Sequence, residues 1–142
     1  MRQEKGVIIA AYQQSLNNHR YLILKRKKNW EGWELPKGHL EDNDYRKTVK
    51  QELREEAGLK EDQIKEVTDM HQVINWRFEE DGEKVEREYK AFKVEVDESA
   101  EVDVSENPHD EHEQGFFLDF EDGKTLLTYD NHREVLENAE KS

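Results

Sequence analysis

Three glutamates, Glu52, Glu55 and Glu56, fall within the five residues 52-ELREE-56. On a helix each residue advances by about 100°, so side chains three and four positions apart share a face. Like charges placed so closely repel by roughly 0.2–0.5 kcal/mol per pair even in water. A divalent cation relieves that repulsion directly, and hard carboxylate oxygens suit Mg²⁺ or Mn²⁺. An acidic helix face taken alone is more often a solvated surface than a metal site. The residues ahead shift that balance. The stretch 34-ELPKGHLED-42 puts a Pro-Lys-Gly-His turn immediately before the acids. Such a turn supplies backbone groups, a cation and a glycine-permitted close approach.

Elements must position those groups. The chain has 142 residues, enough for one domain with one core, spanning residues 1–142. Residues 5–13 and 20–27 read as strands, and the Gly-, Pro-, Asn- and Asp-rich stretch 29–44 as loop. From Tyr45 the period changes: Tyr45, Val49, Leu53 and Ala57 recur every four residues, which predicts a helix with one apolar stripe. Asp44 is its N-cap and Gly58 its stop. The carboxylates then sit at the margin of the stripe, while Lys47, Lys50 and Arg54 point to water. Residues 65–79 read as extended, Asp81-Gly82 as a hairpin turn and 84–96 as the returning strand. Residues 97–113 hold eight acidic residues and Pro108, and read as a mobile surface loop. A short strand at 115–120 and a closing helix from about Thr128 to Glu140 follow, the helix carrying His132, Val135, Leu136 and Ala139 at helical spacing. Strands, helix, strands and helix give an α/β fold: a mixed sheet with helices packed on its faces.

Composition narrows the partners. With 35 acidic and 22 basic residues the formal net charge is −13, a field that repels DNA and RNA polymers but admits a small anionic substrate beside a metal and a basic patch. The chain has no cysteine, which excludes a zinc-thiolate site and a thiol nucleophile and suits a cytoplasmic location. No apolar run approaches the roughly 20 residues of a membrane helix.

The stretch 38-GHLEDNDYRKTVKQELREEAGL-59 resembles the Nudix box, G-x5-E-x7-R-E-U-x-E-E-x-G-U with U aliphatic. Gly38, Glu52, Leu53, Glu55, Glu56, Gly58 and Leu59 fit it. The preceding 33-WELPKGH-39 is similar to the W-x-x-P-K-G-H segment of Nudix hydrolases acting on dinucleoside polyphosphates, and the strand order and 125-TLLTYDNHREVLENA-139 are similar to the same group. Two departures stand out. The box is one residue short between its glycines, so Asp44 is the nearest counterpart of its first glutamate. Gln51 replaces the arginine that steadies a carboxylate in the family.

The resemblance implies an α/β/α sandwich and a hydrolase that splits a diphosphate with Mg²⁺ or Mn²⁺. It implies Glu52, Glu55 and Glu56 as metal ligands, with the Gly38 carbonyl. Lys37 and His39 would meet phosphates, and Lys25 and Arg26 would extend that basic patch. A further acid before the last strand often assists in the family: Glu113 is the first candidate, Glu111 the second. Tyr89 is the expected base-stacking ring, with Phe92 on the opposite face by parity. Trp30 is a looser candidate for a base contact, and Trp33 reads as core. His71, His109 and His112 show no partner pattern. The expected substrate is a small nucleotide, diadenosine tetraphosphate cut to ATP and AMP, and the expected state is a monomer or homodimer. The rivals are removal of pyrophosphate from RNA 5′ ends or hydrolysis of another nucleoside diphosphate derivative, and a sensing module that binds a nucleotide without cleaving it.

Overall fold

The computed structural model describes residues 1–142. Strand β1 (Arg2–Gln14) carries the run Val7–Ala11, wholly buried on both faces. A strand buried on both faces belongs in the middle of a covered sheet. That is its place: the strand order is β3-β2-β1-β6-β5, with β4 also paired to β1 and β7 to β2. Strand β2 (His19–Arg26) returns antiparallel from the end of β1, and β4 (Lys37–His39) lies antiparallel along Gly6–Ile8. Strand β6 (Glu83–Val96) runs parallel to β1, from the Arg2–Val85 pair to the Gln13–Val96 pair. Strand β5 (Ile64–Glu80) joins β6 in a hairpin through Asp81 and Gly82, both at positive φ. Strands β3 (Gly32–Glu34) and β7 (His112–Asp119) complete the sheet against β2.

The alternation of β1 divides the core. Val7, Ile9 and Ala11 pack with Phe92 against Val49, Leu53 and Ala57 of α1 (Tyr45–Ala57). Ile8 and Ala10 face the other way, with Tyr89, toward Val135, Leu136 and Ala139 of α3 (Asp130–Lys141). The sheet is mixed and has helices on both faces, as the sequence predicts. Three features differ. Within 29–44 the three-residue β3 and β4 are too short to show a period, and pairing to β2 and β1 defines them. A seven-residue helix, α2 (Phe120–Leu126), follows β7, with Gly123 where an added Cβ would stand 3.2 Å from Ile23. The acidic stretch after β6 is tied to the body: the Asp103 N–H donates to Ala57 O at 2.9 Å, and Gln13 Nε2 donates to Ala100 O at 2.7 Å.

Helix α1 begins and ends where its caps require. Asp44 accepts from the Lys47 N–H at 3.1 Å, and Gly58 at φ 69° returns its N–H to Arg54 O. Ahead of the cap, Asp42 and Asn43 are both left-handed, a tight turn at the place where the box is short. Gly58→Ala is expected to lower stability by about 1–2 kcal/mol, because an L-residue is strained in the left-handed region. Its Cβ would also stand 2.9 Å from Asp103 O. Urea unfolding of the two proteins measures the difference.

Candidate active site

The inner edge of α1 faces β4, and their approach depends on one missing side chain. A Cβ on Gly38 would lie 2.1 Å from the Glu52 carboxyl carbon, so only glycine lets that carboxylate settle against the strand. One turn on, Glu56 is 3% exposed; its Oε1 accepts from the Lys37 N–H at 3.1 Å, while its Oε2 is buried and without a partner. Half-buried Glu55 accepts from Gln51 Nε2 at 3.1 Å, so the residue standing where the family has arginine still holds a carboxylate. Burial first, then neighbouring Glu55, raises the Glu52 carboxyl to about 7. Burial first, then Glu34 and Glu52, pushes Glu56 well above the usual carboxylate range. Acids so enclosed suit a cation that is not a proton. An all-oxygen donor set with an orphaned buried carboxylate oxygen fits a hard divalent ion.

Behind Glu56 lie two residues that sequence reasoning missed. Glu34, fully buried on β3, meets His112 Nε2 at 2.6 Å, Arg26 Nη1 at 3.1 Å and Lys37 Nζ at 3.5 Å. Burial opposes its ionisation, but the His112 hydrogen bond, Lys37 and Arg26 overcome that and hold it down at about 2. His112 Nε2 also stands 3.6 Å from Glu56 Oε2. Glu34, Glu56 and His112 offer ligand atoms within 4.8 Å of one another. Two ligand atoms on one ion stand about 3 Å apart, given bonds near 2.1 Å. The 2.6 Å His112–Glu34 contact is closer than that and is a hydrogen bond, while Glu56 Oε2 has no hydrogen-bond partner. The sequence holds one signal for Glu34, a lone acid beside Trp33 and Leu35, and none for His112, which sits in an acidic run.

Beyond Arg26 and Lys37 an open cleft of about 540 Å³ is walled by Trp30, Trp76, Phe78 and Tyr129. The Arg26 guanidinium lies 5.5 Å from the Trp30 ring centroid, and Trp30 meets Tyr129 edge-to-face at 5.1 Å.

The predicted site residues divide. Glu52, Glu55, Glu56, Gly38, Lys37 and Arg26 come together at the α1 edge. His39, two residues on from Lys37 and on the same face of β4, has its Nδ1 3.4 Å from the Tyr89 hydroxyl. Three expectations are corrected. Lys25 pairs with Glu113 at 2.8 Å, and neighbouring residues of β2 face opposite ways, so this pair lies away from Arg26 and the acids. A bulge where β2 meets β7 brings Glu111 inward instead, 3.3 Å from Arg26 Nη1 and near enough to raise both Glu52 and Glu56. Tyr89 is 2% exposed, its ring over Gly6 and edge-on to Trp76 at 4.9 Å, so it offers no face to a base.

This sheet, helix pair and acidic edge define a class, and the comparisons agree with it. The Nudix domain matches residues 4–139, and the chain belongs to the Nudix hydrolase family. No curated protein matches the sequence. A diadenosine tetraphosphate (Ap4A) hydrolase of C. elegans, solved as a binary complex, superposes with a TM-score of 0.72 at 19% identity, over 95% of this chain and 93% of that one. The E. coli dihydroneopterin triphosphate pyrophosphohydrolase gives 0.78 at 15% identity, over 99% of each chain. The Nudix domain of Shewanella oneidensis NrtR, in complex with ADP ribose, gives 0.74 at 12%, over 99% of this chain and 88% of that one. At these identities the likeness is one of fold.

The Glu52 shift fixes a sign. A carboxyl raised in the folded state stabilises fully below its unfolded pKa, near 4.5, and that contribution is lost as pH rises through about 7. In chelator, stability of the wild-type protein relative to Glu52→Gln is therefore expected to fall between pH 4.5 and 7. Millimolar Mg²⁺ or Mn²⁺ should cancel the fall. Chemical denaturation across pH, with and without chelator, reads both.

Proposed function

We propose that this protein is a divalent-metal-dependent hydrolase that cleaves the pyrophosphate linkage of a nucleoside polyphosphate. The preferred substrate class is a dinucleoside polyphosphate, diadenosine tetraphosphate cut to ATP and AMP. One observation carries the reading: the acidic edge of α1 adjoins, across Arg26 and Lys37, a cleft with four aromatic side chains in its wall. The edge suits the reacting phosphates and the cleft a nucleoside.

Glu52, Glu55 and Glu56 would hold Mg²⁺ or Mn²⁺, with the Gly38 carbonyl as a further ligand. Bound there, such an ion would neutralise phosphate oxygens and acidify an attacking water. The chain's own groups do the rest. Lys37 and Arg26 draw the polyphosphate in against a net charge of −13. The Lys37 N–H and Gln51 amide fix two of the carboxylates before substrate arrives. A carboxylate of this edge, or Glu111 beside it, takes the proton of the attacking water. His112 and Glu34 keep Arg26 and Glu56 in place from behind.

A sensing module that binds without cleaving is the reading motivated by the lost arginine and the shortened box. The Gln51–Glu55 hydrogen bond and the uninterrupted α1 speak against it. The net charge disfavours long RNA.

Purified protein with Mg²⁺ and a nucleotide panel, resolved by chromatography, tests the proposal. ATP plus AMP from diadenosine tetraphosphate supports it. Turnover confined to 5′-triphosphate RNA, or binding without turnover, overturns it. Glu56→Gln is expected to cut turnover by on the order of 10²–10³, with the circular dichroism spectrum unchanged. Trp30→Ala is expected to raise KM about tenfold through lost base stacking, with a smaller effect on kcat.

A further inference from the structure

His132 is buried, 2% exposed, at the foot of the aromatic cleft, and no step above uses it. It projects from the first turns of α3, and the Leu35 N–H donates to its Nδ1 at 3.2 Å. An imidazole that accepts at Nδ1 carries its proton on Nε2 while neutral. Burial first, opposed by Glu34 and aided by Lys37 and Arg133, lowers its pKa to about 4, so the ring is neutral across the physiological range. Nδ1 is the only ring nitrogen with a partner in the protein, and Nε2 is not among the sealed polar atoms. The Nε2 edge therefore opens on the cleft, beside Tyr129 at 5.8 Å between ring centroids.

Two features say what such a donor reads. Its tautomer is set by a backbone N–H, so it presents a hydrogen and never a lone pair. It is also held uncharged, by burial above all. A phosphate site at this place would gain from an imidazolium, and the surroundings prevent one from forming. A neutral donor among aromatic rings suits a neutral acceptor on a ring stacked there.

We propose that His132 Nε2–H is a fixed hydrogen-bond donor that reads an uncharged acceptor, a ring nitrogen or ring carbonyl, on a nucleobase seated in this cleft. The proposal rests on the nucleotide reading of the site and names what that site recognises.

Two variants separate reading from folding. In His132→Asn the amide oxygen still accepts from the Leu35 N–H, but the far donor is gone. In His132→Gln an amide reaches the Nε2 position, and the near acceptor is lost. Titration calorimetry without metal measures binding of AMP, GMP, CMP, UMP and ribose 5-phosphate. Wild type should bind its best nucleotide more tightly than ribose 5-phosphate. His132→Asn should melt near wild type, weaken that nucleotide about 3–10-fold and leave ribose 5-phosphate unchanged. His132→Gln should melt lower yet bind the nucleotide within about twofold of wild type. The proposal is overturned if His132→Asn binds the nucleotide as wild type does, or weakens ribose 5-phosphate equally. It is overturned also if both variants lose binding in step with melting temperature, or if wild type binds no nucleotide better than ribose 5-phosphate. Wild-type turnover of diadenosine tetraphosphate, measured on the same preparation, decides the catalytic reading separately.

Discussion

Glu56 and Glu34 are two carboxylic acids enclosed in one protein interior, and the site depends on their being driven to opposite states. Glu34 is held ionised by His112, Arg26 and Lys37. Its charge then disfavours a second anion at Glu56, where one oxygen is left without a partner. An interior that already contains one negative charge accepts another only with a compensating cation. The electrostatics of the α1 edge thus originate behind it, in Glu34 and the groups that hold it ionised. The same cations serve twice: Arg26 and Lys37 neutralise Glu34 on one side and line the cleft on the other.

Much of this was legible in the sequence because it is local. The four-residue recurrence of Tyr45, Val49, Leu53 and Ala57 gives α1, its buried face and the placement of the three glutamates beside it. The Asp81-Gly82 turn gives the β5–β6 hairpin. Parity puts Tyr89 and Phe92 on opposite faces, as observed. What parity does not reveal is which of the two faces has room. Tyr89 was the expected stacking ring, yet Gly6 beneath it draws it into the core. The rings that do line the cleft come from the β2–β3 loop, β5 and the segment ahead of α3, brought together only by the tertiary fold.

The second illegible part is register. Glu111 and Glu113 are indistinguishable in an acidic run, and the difference lies in a bulge opposite Lys25 and Arg26 that shifts which residues at the start of β7 and just before it turn inward. Glu34 and His112 are 78 residues apart, and nothing in either neighbourhood announces the other. Buried polar pairs of this kind carry no periodicity, since each member is a single exception within an otherwise regular strand or loop.

The parallel pairing of β1 with β6 has a kinetic consequence. Residues 2–13 find their parallel partners at 85–96, and β1 meets a partner across a local turn only at its end, where Tyr12–Gln14 face His19–Tyr21. Chain entropy must be surrendered over that whole interval before the first parallel rung forms, a topology associated with slow, high-contact-order folding. The hairpin β5–β6 has no such requirement and is the natural nucleus, leaving β1 to dock afterwards. Until it does, β4 has no template, and α1 has no floor on which to present its acids. A nascent chain of this kind holds its acidic cluster unassembled until the sheet has closed.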